Sequence, residues 1–254
     1  MDYLESLPAS LNTLSKKVNR LYYIGNTALL TNPLVAIVGS RRPSAYTRQH
    51  TALLAQALAA RGVCVLSGAA MGVDAIAHQG AFPSTIAVMG NSLDIIYPKV
   101  NRDLIQRLQK QALVLSEYEK GTTATRYSFV ERNRIVVALS QAVIITQADL
   151  QSGSMRSAQI ALKLGRPLYV LPQRLGESDG TNALLQEGKA TLITDIQAFA
   201  NGFGDLHVEQ DDLLDFCSKE HSLEKAIALF GERVYEYELE GKVLIDGVSI
   251  RPCS

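Results

Sequence analysis

Residues 34–46, LVAIVGSRRPSAY, join five apolar residues to a short basic turn. Apolar runs without polar alternation are typical of strands that are buried on both faces of a parallel sheet. The turn contains Gly39 and Ser40, whose small side chains leave main-chain N–H groups accessible, followed by Arg41 and Arg42. Such N–H groups and guanidinium groups both bind phosphate, so the stretch predicts an anion site at a strand end. The anion can belong to a nucleotide cofactor or to a nucleic acid.

Strand-like apolar runs and helix-period segments alternate along most of the chain. This order predicts an α/β fold with an extended Rossmann-like, doubly wound and mostly parallel sheet. Ligands are expected at the carboxyl ends of its strands. The expected strands are residues 21–24, 35–38, 63–66, 85–89, 113–115, 142–145 and 168–171, and the clearest helices are residues 46–60, 101–111, 129–139 and 154–164.

The two ends of the chain are expected to lie outside a Rossmann-like domain at 21–200. In the N-terminal helical segment, 1–20, residues 4–17 have the pattern of a short amphipathic helix. Residues 201–212, NGFGDLHVEQDD, have the composition of a linker. Residues 213–254 predict a small winged-helix-like domain, because an Asp-Gly turn between two apolar triplets is a strong hairpin signal. Three short helical stretches precede that hairpin, near 211–219, 222–230 and 231–240.

Composition narrows the class of protein. No apolar run is long enough to cross a bilayer and the N-terminus has no apolar signal core, so we expect neither membrane insertion nor secretion. The three cysteines are scattered, which fits a reducing cytoplasm and predicts neither a disulfide framework nor a metal site. No phosphate-loop or dinucleotide motif is present, so no cofactor is expected.

Charge is distributed unevenly, although the net charge is zero. Residues 205–254 carry 12 acids and 5 bases, a net charge of −7, which leaves 20 bases and 13 acids in residues 1–204. The large domain is therefore the part expected to bind an anion. The acidic C-terminal part is expected to make protein contacts, since a winged helix that binds phosphate needs a basic recognition helix.

Three loops of small residues are expected at the same sheet edge, since each follows a strand. They contain Gly39-Ser40, Ser67-Gly68-Ala69 and Ser152-Gly153-Ser154. Tight turns in any α/β fold also use glycine, which explains each loop taken singly. Three loops on one edge favour an anion site.

Basic side chains and one aromatic ring follow the strand at 113–115. Lys120 and Arg126 are expected in a loop before the helical segment FVERNRIVVALS, which begins at Phe129. Within that helix Arg132 and Arg134 point about 200° apart, so one can contact phosphate while the other serves the structure. Phe129 has two interpretations, a core residue at a helix start or a stacking platform for nucleic acid bases.

Asp74 and His78, four residues apart on a predicted helix, have the spacing of an acid–base pair. Asp74 is equally placed as an acid that a helix N-terminus favours. No serine belongs to a recognisable triad, so catalysis is not expected.

Six separated motifs resemble, in order and spacing, the DNA processing protein A (DprA/Smf) family of bacterial natural transformation. The resemblance covers roughly residues 20–195. It implies a protein that binds and protects incoming single-stranded DNA, helps load the RecA recombinase, forms a homodimer and has no enzymatic turnover. The motifs are VAIVGSR, SGAAMGVDAIAH, SLDIIYPKVN, FVERNRIVVALS, SGSMRSA and SDGTNALLQEG.

This resemblance, together with the basic residues above, predicts the DNA-binding site. The dimer contact is expected near 182–193, NALLQEGKATLI, although Leu184 or Leu185 can equally be core. The predicted DNA-binding residues are Gly39, Ser40, Arg41, Arg42, Ser67, Gly68, Ala69, Lys120, Arg126, Phe129, Arg132, Asn133, Arg134, Ser152, Gly153 and Ser154.

Four positions depart from the family pattern. Met71 stands where relatives usually carry Arg, which puts one phosphate contact in doubt. Gln147 replaces a usual Glu, which is expected to make the site less repulsive to DNA. Val130 replaces a usual Pro, and Gln173 stands where Gly usually follows the Pro.

Two other functions remain open at this point. Phosphoribohydrolases share a related fold and cleave nucleoside monophosphates, but they carry a PGGxGT signature that this sequence lacks. A pure interaction scaffold would have no affinity for oligonucleotides.

Overall fold

The computed structural model of the chain describes residues 2–206 and 212–253. The chain divides into two compact units, Met1–Leu206 and His207–Ser254. Part of the predicted linker belongs to the first unit, because Asn201 accepts a hydrogen bond from Arg61 (2.8 Å) and Phe203 packs on Phe199. The linker prediction is therefore wrong at its start, where an aromatic residue joins the core. Its residues 207–211 lie outside the described residues.

The first unit is built on one mixed sheet whose order, within the described residues, is β1-β2-β6-β5-β4-β3-β7-β8-β9. All neighbours from β6 to β9 are parallel, whereas β1 and β2 are antiparallel. This confirms the predicted Rossmann-like α/β fold. The strands are β1 (Asp2–Tyr3), β2 (Tyr22–Gly25), β3 (Leu34–Val38), β4 (Cys64–Ser67), β5 (Thr85–Val88), β6 (Leu113–Ser116), β7 (Ala142–Ile145), β8 (Leu168–Val170) and β9 (Thr191–Leu192).

Helices cover both faces of this sheet. In β3, Val35 and Ile37 pack into a cluster with residues of α1 and α2, while Ala36 and Val38 pack into another with residues of α4 and α5. Burial on both faces explains why β3 has no polar alternation. The helices are α1 (Ala45–Ala59), α2 (Val73–Ala81), α3 (Arg102–Gln111), α4 (Arg126–Leu139), α5 (Gly153–Lys163), α6 (Asp179–Gln186) and α7 (Ile196–Asn201).

Helix α4 begins three residues before the predicted start at Phe129. The reason is a capping box, in which the Thr125 hydroxyl accepts from Ser128 N and the Ser128 hydroxyl accepts from Thr125 N. Phe129 consequently lies in the first turns of α4 rather than at its N-terminus.

The expected helix at 4–17 is wrong. Asp2 and Tyr3 instead form β1, and Leu4 N donates to Leu21 O (2.9 Å), which holds this part extended along β2. Only Ala9–Thr13 is helical, as a 3-10 turn. A short isolated helix is marginal in water, so sheet pairing overrides the local amphipathic pattern.

The chain reverses direction across the sheet at β3. After β3 it adds β4, β5 and β6 on one side, and α4 then returns it to β7 on the other side of β3. The carboxyl ends of β3 and β7 therefore form a topological switch point, the usual ligand position in open α/β sheets. The two loops touch there, since Ser40 N donates to Gln147 O (2.8 Å).

The second unit has its own core of Leu213, Cys217, Ala226, Val234, Val243 and Ile250. Its helices and hairpin follow the predicted order, and its description as winged-helix-like stays a prediction. The elements are α8 (Asp212–Lys219), α9 (Leu223–Phe230), α10 (Arg233–Leu239), β10 (Val243–Asp246) and β11 (Ser249–Pro252). Within the described parts of both units, no helix is long and apolar enough to cross a membrane.

Candidate nucleic-acid interface

Phe129 lies half-buried at the carboxyl edge of the sheet, in contact with a basic loop and a second aromatic ring. The guanidinium carbon of Arg41 is 5.8 Å from the centre of the Phe129 ring. The Tyr97 ring stacks on Phe129, with centroids 5.6 Å apart and planes inclined by 30°. A partly exposed ring beside a cation is the arrangement that single-strand binders use to stack bases and hold phosphates. Of the two interpretations of Phe129, the geometry favours the platform.

Gly90 makes room for this ring. A β-carbon at position 90 would lie 2.8 Å from the Cδ1 atom of Phe129, so any larger residue would displace the ring. Gly90 follows β5, and it was not among the predicted site residues.

Tyr97 is the functional candidate that the sequence prediction missed. It is 46% exposed and belongs to the segment YPKVNR, 97–102, in which Lys99 and Arg102 are also exposed. The Asn101 side chain donates to the carbonyls of Ala69 and Ala70, both at 3.0 Å, which attaches this segment to the loop after β4. An aromatic residue followed closely by the basic residues Lys99 and Arg102 was the available signal.

The loop after β4 does not present an anion site, which corrects the prediction for Ser67, Gly68 and Ala69. The N–H groups of Gly68 and Ala70 donate to the Asp74 carboxylate at 3.1 and 3.4 Å. Ala69, in the left-handed region with φ 53°, donates its N–H to His78 Nε2 at 3.3 Å. The loop therefore wraps a carboxylate and an imidazole of its own chain, because the next helix supplies both.

Arg132 is also directed inward. It is 4% exposed, and its guanidinium donates to the carbonyls of Gly68 and Val88. Its Nε donates to Asn133 Oδ1 at 3.0 Å, so the half-buried Asn133 orients the arginine. A β-carbon at Gly68 would lie 2.2 Å from the guanidinium, so a larger residue there would have to displace Arg132 from this position.

Electrostatics tie Arg132 to Asp74. Burial raises the pKa of Asp74, and the charge of Arg132 acts against that shift. Burial likewise lowers the pKa of Arg132, and the charge of Asp74 acts against it. The two groups stabilise each other's charged forms in the interior.

Arg134 forms an ion pair with Glu117, and both side chains are largely buried at 9% and 16% exposure. The prediction that Arg132 or Arg134 contacts phosphate is therefore not supported by their positions. Both arginines hold α4 against the sheet, Arg132 through the ends of β4 and β5 and Arg134 through the segment after β6.

The side chains of Asp74 and His78 are likewise engaged in hydrogen bonds within the protein. His78 accepts from Ala69 N through Nε2, so its Nδ1 carries the hydrogen that it donates to Thr85 Oγ1 at 2.7 Å. Burial, followed by the charge of Arg132, lowers the pKa of His78 to about 3. The imidazole is neutral and enclosed, and the acid–base spacing serves the loop after β4.

The remaining predicted residues lie at the sheet edge or beside it. Arg42 and Lys120 are exposed, and Gly153 has open space around it. Ser40 and Ser152 are half-buried; Ser152 caps α5 by accepting from Met155 N at 3.3 Å. Gly39 packs against Val73 of α2 and against Thr146, the residue after β7. Ser154 is 9% exposed, and the side chain of Arg126 lies outside the described residues.

Gln147 connects three loops at the switch point. Its Oε1 accepts from Ser44 N at 2.9 Å, and its Nε2 donates to Glu177 O at 3.2 Å. A glutamate could not make the second bond, because a carboxylate has no N–H to donate. The replacement of the usual Glu by Gln therefore adds a structural contact as well as removing a negative charge. Gln173 acts similarly, donating to Thr47 Oγ1 and Thr146 O. Met71 is 44% exposed, so the replacement of the usual Arg by Met places an uncharged side chain at the surface.

Residues 3–204 match the family described as DNA recombination-mediator protein A. The DNA processing protein DprA of Streptococcus pneumoniae is 40% identical over 179 residues, covering 68% of this chain and 63% of that protein. The protein Smf of Synechocystis is 35% identical over 190 residues, covering 71% of this chain and 48% of that protein. The chain thus spans about half to two thirds of the length of these curated relatives.

Two solved structures resemble this chain closely. DNA processing protein A from Helicobacter pylori, studied for its single-stranded DNA binding mode, is 50% identical with a TM-score of 0.78. That match covers 79% of this chain and 94% of the other. DprA from Streptococcus pneumoniae is 36% identical with a TM-score of 0.73, covering 78% of this chain and 71% of the other.

Proposed function

Because the chain belongs to the DNA recombination-mediator protein A family, we propose that it binds single-stranded DNA at the carboxyl edge of its sheet. The contacts are the ring of Phe129, the ring of Tyr97 and the guanidinium of Arg41. Arg42, Lys99, Arg102 and Lys120 supply further exposed positive charge around them.

The observation that carries this proposal is the position of Arg41 over the half-exposed Phe129 ring. A base that stacks on the ring contributes about 1–3 kcal/mol, independently of its identity. The arginine then lies close enough to contact the neighbouring phosphate. Contacts to the phosphates of the DNA backbone carry no base information, so binding is expected to be largely independent of sequence.

Binding rather than turnover is the activity we assign to this site. The two side chains with acid–base spacing are enclosed and hydrogen-bonded to the loop after β4, which supports a binding role. The likeness to the Helicobacter pylori protein, whose single-stranded DNA binding mode has been described, supports single-stranded DNA as the ligand.

The wider role is proposed from the family. It comprises protection of incoming DNA in natural transformation, loading of the RecA recombinase and homodimer formation in the cytoplasm. For the dimer, Leu184 is 4% exposed and serves the core, whereas Leu192 on the edge strand β9 is 39% exposed. The exposed edge of β9 is therefore the better part of 182–193 for a contact between copies.

A salt titration of oligo-dT binding tests the proposal. We expect saturable binding whose affinity falls linearly with salt on logarithmic axes, because phosphate contacts release counterions. A nucleotide-processing enzyme would instead favour mononucleotides and convert them. Absence of oligonucleotide binding at low salt, by a protein shown to be folded, would refute the proposal.

A further inference from the structure

A separate concavity lies close in sequence to the basic loop, since its lining begins at Ser44, two residues after Arg42. It has a volume of about 600 Å³ and is formed where the start of α1 faces the segment after β8. Its lining consists of Ser44, Ala45, Tyr46, Pro172, Gln173, Arg174 and Glu177. Pockets of this size accommodate small planar ligands. None of the predicted DNA-binding residues lines it.

The walls of this cavity suit a nucleic acid base. Tyr46 is 37% exposed, and its ring also packs on His50, with centroids 4.0 Å apart. Pro172 supplies a second apolar surface, whereas Arg174, with a side chain 88% exposed, supplies a cation at the rim. An aromatic ring and a guanidinium group are the two side-chain types on which unstacked bases settle.

The cavity is close in sequence to the candidate interface, and this proximity indicates that its ligand is a base of the same DNA strand. Arg41 and Tyr46 are five positions apart in the chain, so their Cα atoms cannot be more than about 18 Å apart. A DNA strand that stacks one base on Phe129, with its phosphates against Arg41 and Arg42, can therefore reach Tyr46 with a following base. Glu177 also lines the cavity, 3.8 Å from Arg174, and disfavours a phosphate inside it, which leaves the base as the part that enters.

We propose that this cavity is a second base-binding subsite, in which Tyr46 stacks a base of the same single strand that contacts Arg41 and Phe129. The inference rests on the proposed function and extends it across the switch point. The strand then crosses the carboxyl ends of both β3 and β7.

Fluorescence gives a direct test, because the chain contains no tryptophan. Tyr46→Trp introduces a single indole in the cavity, and an oligo-dT of about 12 nucleotides should quench its emission as the strand binds. Leu53→Trp places the control indole at an exposed position of the same helix, outside the cavity, and its emission should not change. Anisotropy of a labelled oligonucleotide confirms that both variants bind. Binding without quenching of the Tyr46→Trp emission overturns the subsite.

Affinity gives the second test. Tyr46→Ala should weaken binding of the same oligonucleotide by at least about 5-fold, whereas Tyr46→Phe retains the ring and should bind as the wild type. Leu53→Ala controls for a lost apolar side chain on α1. Quenching of Tyr46→Trp by dTMP without any effect of oligo-dT would assign the cavity to a free nucleotide and overturn the proposal.

The two proposals fail differently. If the wild-type protein does not bind the oligonucleotide, both are wrong. If Arg41→Ala and Phe129→Ala weaken binding while Tyr46→Ala does not, the proposed function stands and the second subsite is refuted.

Discussion

The guanidinium carbon of Arg41 lies 5.8 Å from the centre of the Phe129 ring. Arg41 follows β3 and Phe129 lies on α4, so the doubly wound topology, rather than proximity in sequence, brings the pair together. At an exposed position such a contact is worth only about 0.5–1 kcal/mol. The pair therefore contributes little to folding and remains available to a ligand.

Arg41→Ala should weaken binding to all single-stranded sequences about equally, since a phosphate contact carries no base information. The slope of log affinity against log salt should become shallower by about 0.7. Lys110→Ala removes the same charge from an exposed position in the last turn of α3 and should leave the slope unchanged. A changed base preference with an unchanged slope would contradict the assignment of Arg41 to phosphate.

Phe129→Ala should cost about 1–3 kcal/mol of affinity for oligo-dT, because the stacking surface is lost. The half-buried ring should cost less stability than the roughly 3–5 kcal/mol typical of a fully buried Phe. Ile135→Ala, fully buried on the same helix, is the matched control and should lower stability without changing the affinity of the folded fraction. Thermal melts beside binding isotherms separate the two effects. Unchanged affinity after Phe129→Ala would exclude stacking.

Arg132→Met should destabilise the fold by about 3–5 kcal/mol, because it leaves the Asp74 carboxylate buried without its counter-charge. Adding Asp74→Asn should recover part of that loss, which urea unfolding of the single and double variants measures. The exposed Arg42→Met is the control and should change stability by less than about 0.5 kcal/mol. If Arg132→Met is as stable as the wild type but has a shallower salt slope, Arg132 contacts DNA after all.

His78 should make the fold sensitive to mild acid. Its pKa is lowered to about 3 in the folded chain from an ordinary 6.5, so below pH 6.5 only the unfolded chain takes up the proton. The stabilisation is complete above that pH and is lost as the pH falls, by about 2 kcal/mol between pH 7 and pH 5. Denaturant unfolding at several pH values measures this slope.

The His78→Gln variant is the comparison for that measurement, since it lacks the titrating group and should show a flatter slope. The raised pKa of Asp74 acts in the opposite direction, which is why the slopes are compared between variants. Equal slopes for wild type and His78→Gln would contradict the enclosed neutral imidazole.

A chain ending at residue 206 should bind oligo-dT within a few-fold of the full chain. The second unit has a separate core, and the residues from Asp205 onward carry a net charge of −7, which repels phosphate. Equilibrium binding at one fixed salt concentration is the measurement. Loss of binding by a shortened chain that remains folded would show that the acidic unit takes part.

Local patterns in the sequence were sufficient to predict the architecture of the large domain. The apolar runs at β3, β4, β5, β6, β7 and β8 and the helical periods between them predicted a doubly wound sheet, because burial on both faces leaves a continuous apolar signature. Gly39, Arg41 and Arg42 could be placed at a strand end for the same reason, and that position alone locates the candidate interface.

Only the tertiary structure decided which polar groups face the ligand. Arg132 and Arg41 have the same chemistry in the sequence, yet Arg132 finds the carbonyls of Gly68 and Val88 and is enclosed. The N–H groups after β4 were predicted to be free for an anion, but Asp74 and His78 occupy them. Tyr97, in the segment before α3, contacts Phe129 on α4, which is distant in sequence. Strand and helix patterns depend on residues that are neighbours in the sequence. The partner of a buried charge, in contrast, comes from a chain element that is distant in sequence, so only the packing of the elements determines which partner it has.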